Sequence, residues 1–161
     1  MKLRGVVSED FSNYSKPSLF LISTTCDWKC CAEHGLDASV CQNASLVSQP
    51  IVDYSNSEIY NAFADNDITK AVVVGGLEPF IQFQELLDLI AEFRFRHNEE
   101  CDFVIYTGYY QNEIQDSIDI LSCIENIVIK FGRYIPNSEP KYDEVLGVTL
   151  ASDNQFARRI S

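Results

Sequence analysis

Five short runs of β-branched and aromatic residues constrain the fold of this chain more than any other feature. They are Leu19–Ser23, Ala71–Val74, Phe103–Thr107, Asn126–Lys130 and Val145–Leu150. Most are apolar almost without interruption, the pattern of strands buried on both faces as in a parallel sheet. Helical periods lie between them. Ser55 and Glu58 form a predicted capping box, and Ile59, Ala62 and Phe63 then mark one helix face. Phe83, Leu86, Leu87, Leu89, Ile90 and Phe93 recur at helical spacing, and Ile114, Ile118 and Leu121 mark a third helix. The alternation of strand and helix predicts an α/β fold in a single domain spanning 1–161. No repeat or linker divides it, and Pro136–Pro140 reads as a loop.

Charge narrows the partners. A net charge of −12 with no basic stripe disfavours a nucleic-acid backbone or an anionic membrane surface, both of which require clustered Lys and Arg. No apolar run is long enough to span a bilayer. The opening Met1–Val7 gives way to Ser8-Glu9-Asp10 and not to a signal-peptide core, so a cytoplasmic address is expected.

In a reducing compartment six cysteines are not expected to form a disulfide framework. Four of them, Cys26, Cys30, Cys31 and Cys41, fall just past the first apolar run. That position is the carboxyl end of a buried strand, where ligands collect in parallel α/β architectures. Lys29, between the first two thiols, favours thiolate over thiol. Three chemistries suit the set. One is a tetrahedral zinc site, in which His34 replaces a thiol if Cys30 and Cys31 do not both bind. Another is an iron–sulfur cluster, in which three thiolates leave one iron open. The third is plain burial of a small apolar side chain. Cys101 and Cys123 adjoin apolar runs and read as core, and His97 as a solvated cation at a helix end.

Two further strand ends carry polar groups. Gly75 and Gly76 follow the second run and would admit a ligand close to the backbone, while Glu78 offers a carboxylate to a cation. An ordinary strand-to-helix turn with Pro79 explains the same residues. Tyr106-Thr107-Gly108-Tyr109 ends the third run with a hydroxyl and a glycine.

Together these segments resemble the radical S-adenosylmethionine superfamily, and within it the small activases of anaerobic (class III) ribonucleotide reductase. The resemblance runs in order through Cys26 and Cys30; Gly75, Gly76, Glu78 and Pro79; Tyr106–Tyr109; Gly132, Arg133 and Tyr134; and Ser152–Gln155. The family's third cysteine falls at position 33, where this chain has Glu33. Cys41 takes its place, with Val40 before it and Gln42-Asn43 after it, so the cluster loop carries an insertion at about 31–39. Cys31 is an alternative to Cys30. Leu77 interrupts the family's Gly-Gly-Glu.

The resemblance implies an incomplete β/α barrel of mostly parallel strands with outer helices, since a full barrel takes about 250 residues. It also implies an oxidoreductase in which Cys26, Cys30 and Cys41 hold a [4Fe–4S] cluster. S-adenosyl-L-methionine would chelate the open iron and yield a 5′-deoxyadenosyl radical that abstracts hydrogen from a glycine of a partner enzyme. Glu78 would hold the methionyl ammonium, with Val40, Asn43, Gly75 and Gly76 lining the cosubstrate site. Thr107 and Lys130 would meet its ribose or carboxylate. The implied partners are the large subunit of anaerobic ribonucleotide reductase and a low-potential donor such as flavodoxin or ferredoxin. Two other functions fit less of the pattern: a small-molecule radical enzyme similar to deazaguanine synthases, and a non-catalytic metal-binding adaptor.

Overall fold

A computed structural model describes residues 1–161 and arranges six strands in one sheet. In chain order they are β1 (Gly5–Asp10), β2 (Ser18–Ile22), β3 (Ala71–Gly75), β4 (Asp102–Tyr106), β5 (Ile127–Phe131) and β6 (Phe156–Arg159). Their order in space equals their order in sequence. The pairs β2–β3, β3–β4 and β4–β5 are parallel, whereas β1 and β6 add antiparallel edges. The chain is thus a mixed α/β protein with a mostly parallel, open six-stranded sheet.

Successive parallel neighbours joined by right-handed crossovers put every crossover helix on the same face. Helix α2 (Asn56–Ala64) joins β2 to β3, α3 (Phe83–Ala91) joins β3 to β4, and α4 (Gln115–Leu121) joins β4 to β5. The shorter α1 (Lys29–Ala32) belongs to the loop after β2. The capping box at Ser55 and Glu58 forms as the sequence indicates. The α3 stripe runs on through a π-helical turn, Glu92–Arg96.

Side-chain alternation divides each strand between two cores. Leu19, Leu21, Val72, Val74, Phe103, Ile105, Ile127 and Ile129 pack against Ile59, Leu86, Leu89, Phe93 and Leu121 on the helix side. Ala71, Val73, Val104 and Val128 meet Tyr14, Leu146 and Leu150 on the other. Burial on both faces explains why the runs lack polar positions. Each fully buried aliphatic side chain contributes about 1.5–3 kcal/mol.

Several expectations are corrected. The run Val145–Leu150 does not join the sheet: only Val148–Leu150 is extended, in a two-stranded hairpin with Lys141–Asp143. Its apolar residues cover the second face. Cys101 is buried, but Cys123 is exposed. His97 is exposed at the helix end as expected, and it is also held there: its ring stacks on Tyr60 with centroids 3.5 Å apart, and Nε2 lies 3.4 Å from Glu92. Residues 136–140 form a loop as expected. No helix is long and apolar enough to cross a membrane.

The topology gives the sheet two unlike ends. At the amino ends of the parallel strands, buried Asp102 gathers Lys16 (2.5 Å), Arg159 (2.9 Å) and the Tyr14 hydroxyl (3.0 Å). At the carboxyl ends, the segments following β2, β3, β4 and β5 lie side by side.

Candidate iron–sulfur site

The thiol-bearing loop leaves β2 already tied to its neighbour. Ser23 N donates to Gly75 O (3.0 Å), Thr24 N and Oγ1 to Gln82 Oε1 (2.8 and 2.7 Å), and Glu78 N to Thr25 O (2.9 Å). Cys26 follows, half-buried, with the Trp28 amide 3.4 Å from its Sγ. Trp28 takes left-handed backbone angles (φ 58°) and turns the chain into α1, which carries Cys30 and Cys31 with Sγ atoms 3.9 Å apart. The chain returns through a 3-10 turn, Ala38–Val40, capped by the Asp37 side chain on Ser39 N (2.9 Å).

That return brings Cys41 to Cys30. Their thiols lie near enough to interact, which lowers the pKa of Cys30 and raises that of Cys41, while the Asn43 amide favours the Cys41 thiolate. Cys26 is pushed up to about 11, chiefly by burial, with Glu78, Asp27 and Cys41 near enough to add to the shift. No three His, Cys, Asp or Glu side chains converge as ligands of one ion. A cubane carries its thiolates on separate irons and so spaces them more widely than a single tetrahedral ion does. The all-thiol donor set of one loop fits such a cluster. Cys31 is buried beside Cys30, and Val40 is exposed.

The β3 end supplies a carboxylate. Gly76 has φ +75° and Leu77 N donates back to Gly75 O (2.9 Å), a γ-turn that accommodates the extra residue with Leu77 buried. Glu78 is only 3% exposed. Its Oε1 accepts from Phe80 N (3.1 Å) and Thr107 Oγ1 (2.8 Å), and Oε2 from Gly108 N (2.9 Å). Burial raises its pKa, and these three bonds oppose that rise. Lys130, also buried, donates from Nζ to Gly132 O (2.9 Å). Desolvation pulls its pKa down to about 8, against the attraction of Glu78 and Cys30.

The two glycines serve packing. A Cβ on Gly75 would stand 2.9 Å from Tyr106 Cβ, and one on Gly76 would meet Ile22 and Leu46 at 3.1 Å. Leu46 belongs to the segment after Cys41, so the cysteine loop folds over the β3 turn. Neighbouring side chains therefore occupy the space that the glycines open.

An outer ring of charge surrounds the thiols, and its hub, Glu113, was not singled out from sequence. Arg133 makes a two-pronged pair with Glu113, Nη1 and Nη2 each donating at 2.7 Å. This pair holds the Glu113 carboxyl down at about 2. Lys29 Nζ reaches Glu113 (3.2 Å) and lies over the Tyr109 ring (4.3 Å). The Tyr109 hydroxyl donates to Asp27 (2.8 Å). The one legible signal is Arg133 two residues past a buried strand, since a buried guanidinium needs a carboxylate; which carboxylate answers it depends on the fold.

The carboxyl edge of this α/β sheet carries half-buried thiols and a buried carboxylate, a donor set that suits an iron–sulfur class of protein. Residues 18–155 match the family model described as a 4Fe-4S single cluster domain, and the chain belongs to that family. Searches of curated proteins and of solved structures gave no match.

Proposed function

We propose that this protein is a radical S-adenosylmethionine activase that installs a glycyl radical on a partner enzyme, with anaerobic ribonucleotide reductase as that partner. The observation that carries the reading is that Cys26, Cys30 and Cys41 lie near enough to influence one another at one sheet edge, with Glu78 near Cys26. The uninterrupted parallel series β2–β5, with its helices on one face, supports an arc of a β/α barrel.

In this reading Cys26, Cys30 and Cys41 hold the cluster, with Cys31 the alternative to Cys30, and one iron is left for the cosubstrate. A cluster held by these thiolates would supply the low-potential electron for cleaving a sulfonium, with a flavodoxin or ferredoxin as its donor. The chain supplies recognition. A carboxylate has about four acceptor sites, and Glu78 uses three. The fourth suits the methionyl ammonium, whose charge would favour the carboxylate form of Glu78. Lys130 offers a dry cation to the carboxylate end, and Thr107 fixes the Glu78 oxygen that it touches. Val40 and Asn43 line the cosubstrate's approach, while Gly75 and Gly76 make room for Tyr106 and for the cysteine loop over the β3 turn. The open sheet leaves room for a polypeptide glycine to enter.

The test is anaerobic reconstitution followed by reduction with dithionite. A brown protein with about four irons that releases methionine from S-adenosylmethionine, and raises a glycyl radical signal on the reductase, supports the proposal. A brown protein that leaves S-adenosylmethionine intact refutes it.

A further inference from the structure

Helix α1 holds two of the clustered thiols but has little of its own to hold it together. One turn cannot repay the cost of helix nucleation. Its N-cap, Trp28, provides no side-chain cap. Its charges also oppose the helix dipole, with Lys29 in the first turn and Glu33 at the C-cap. Its stability has to come from outside.

Lys29 and Glu33 are four residues apart and so share one face of the turn. That face meets the Glu113–Arg133 pair. Lys29 Nζ lies 3.2 Å from Glu113 Oε1, and Glu33 Oε1 lies 3.2 Å from Arg133 Nε. The anchor is rigid: Tyr110 N donates to Glu113 Oε2 (2.9 Å), and the Arg133 guanidinium, 2% exposed, sits 4.5 Å from the Tyr110 ring centre. Two of its nitrogens bind Glu113, and its buried Nε has no hydrogen-bond partner and faces only the Glu33 carboxylate.

We propose that Glu113 and Glu33 are positioning residues. Through Lys29 and Arg133 they clamp both ends of α1 and fix the direction of the Cys30 and Cys31 thiols. Glu33 holds the position that the resemblance gives to a third cysteine, so in this chain that position anchors the loop and does not ligate. The clamp gains its functional meaning from the reading of Cys30 as a cluster ligand.

The test uses metal-free protein under argon. Iodoacetamide labelling of each cysteine is followed by peptide mass spectrometry, and hydrogen exchange is followed at the amides of Cys31, Ala32 and Glu33. Buried Cys101 reports global opening. Losing a half-exposed ion pair in Glu33→Gln is expected to raise both the labelling of Cys30 and Cys31 and the exchange of those amides about two- to fivefold. Cys101 is expected to stay unchanged. Glu113→Gln is expected to exceed this, and Glu33→Gln carries the test if that variant does not fold. Unchanged rates in Glu33→Gln, or rates rising together with Cys101, overturn the clamp. In reconstituted protein, Glu33→Gln is expected to shift the g values of the reduced cluster at equal iron content. Wild-type protein that takes up no iron contradicts the cluster reading, while the labelling and exchange still judge the clamp.

Discussion

Thr107 Oγ1 donates to Glu78 Oε1 at 2.8 Å, joining the end of β4 to the turn after β3. The bond ties a buried carboxylate to a strand end 29 residues away and fixes the orientation in which it faces the thiol loop. Thr107→Val removes one of the three donors to Glu78 and is expected to cost about 1–3 kcal/mol. At roughly 2–4 °C per kcal/mol for a chain of this size, thermal unfolding should show a clear fall in Tm. Glu78→Gln keeps the shape but not the charge. It should abolish S-adenosylmethionine binding in a calorimetric titration while the protein stays folded.

The direction of the Glu78 shift has its own consequence. A carboxyl whose folded pKa lies above its ordinary 4.5 contributes stability that is complete below 4.5 and lost as pH rises through the folded value. Metal-free wild type is therefore expected to gain stability relative to Glu78→Gln as the pH falls from neutrality toward 4.5. Denaturant midpoints across that window check it; parallel curves for the two proteins would show that Glu78 is not desolvated.

Lys130 gives the opposite sign. Its folded pKa of about 8 lies below the ordinary 10.5, so its contribution is complete above 10.5 and lost as pH falls through about 8. At neutral pH the buried ammonium is a burden on the empty protein. Lys130→Met is expected to stabilise metal-free protein at pH 7 by about 1–3 kcal/mol, with the gain fading between pH 8 and 10.5. Gly132 O keeps a second donor in Gln155 Nε2 (3.2 Å), so the substitution leaves no orphaned carbonyl. The same variant should lose cosubstrate affinity. A variant that is no more stable at pH 7 would mean that the ammonium is already compensated.

Asp102 provides the control at the far end of the sheet. Its carboxyl is held below the ordinary 3.8: burial pushes it up, but Lys16, Arg159 and Tyr14 together outweigh that. Its contribution is therefore present above 3.8 and lost as pH falls through the folded value. Asp102→Asn is expected to cost about 1.5–3 kcal/mol at neutral pH and to flatten the acid limb of the stability curve. Iron uptake should be unchanged, because the Asp102 cluster lies at the edge opposite the thiols.

Much of the fold was legible because double burial leaves a strong mark: Val72–Val74 and Ile127–Ile129 have no polar position to confuse the pattern. β6 was not legible, since Phe156-Ala157-Arg158-Arg159 is a solvent-facing edge strand with two charges. Val145–Leu150 misled because a loop segment covering a sheet face needs the same apolar residues as a strand within it. In the site, the thiols, glycines and Glu78 could be listed from their positions after each run. The reason for the glycines could not: Gly75 is required by Tyr106, which lies on the neighbouring strand. Glu113 was invisible because its importance comes from Arg133, Lys29 and Tyr110, brought together only by the strand order.

The most direct test of the account is an electron paramagnetic resonance titration of the reduced, reconstituted protein with S-adenosylmethionine. Wild type and Cys31→Ala should both show a cluster signal whose g values shift as the cosubstrate is added, and Cys26→Ala, Cys30→Ala and Cys41→Ala should show no such signal. A wild-type signal indifferent to the cosubstrate, or an intact shifting signal in Cys41→Ala, would contradict it.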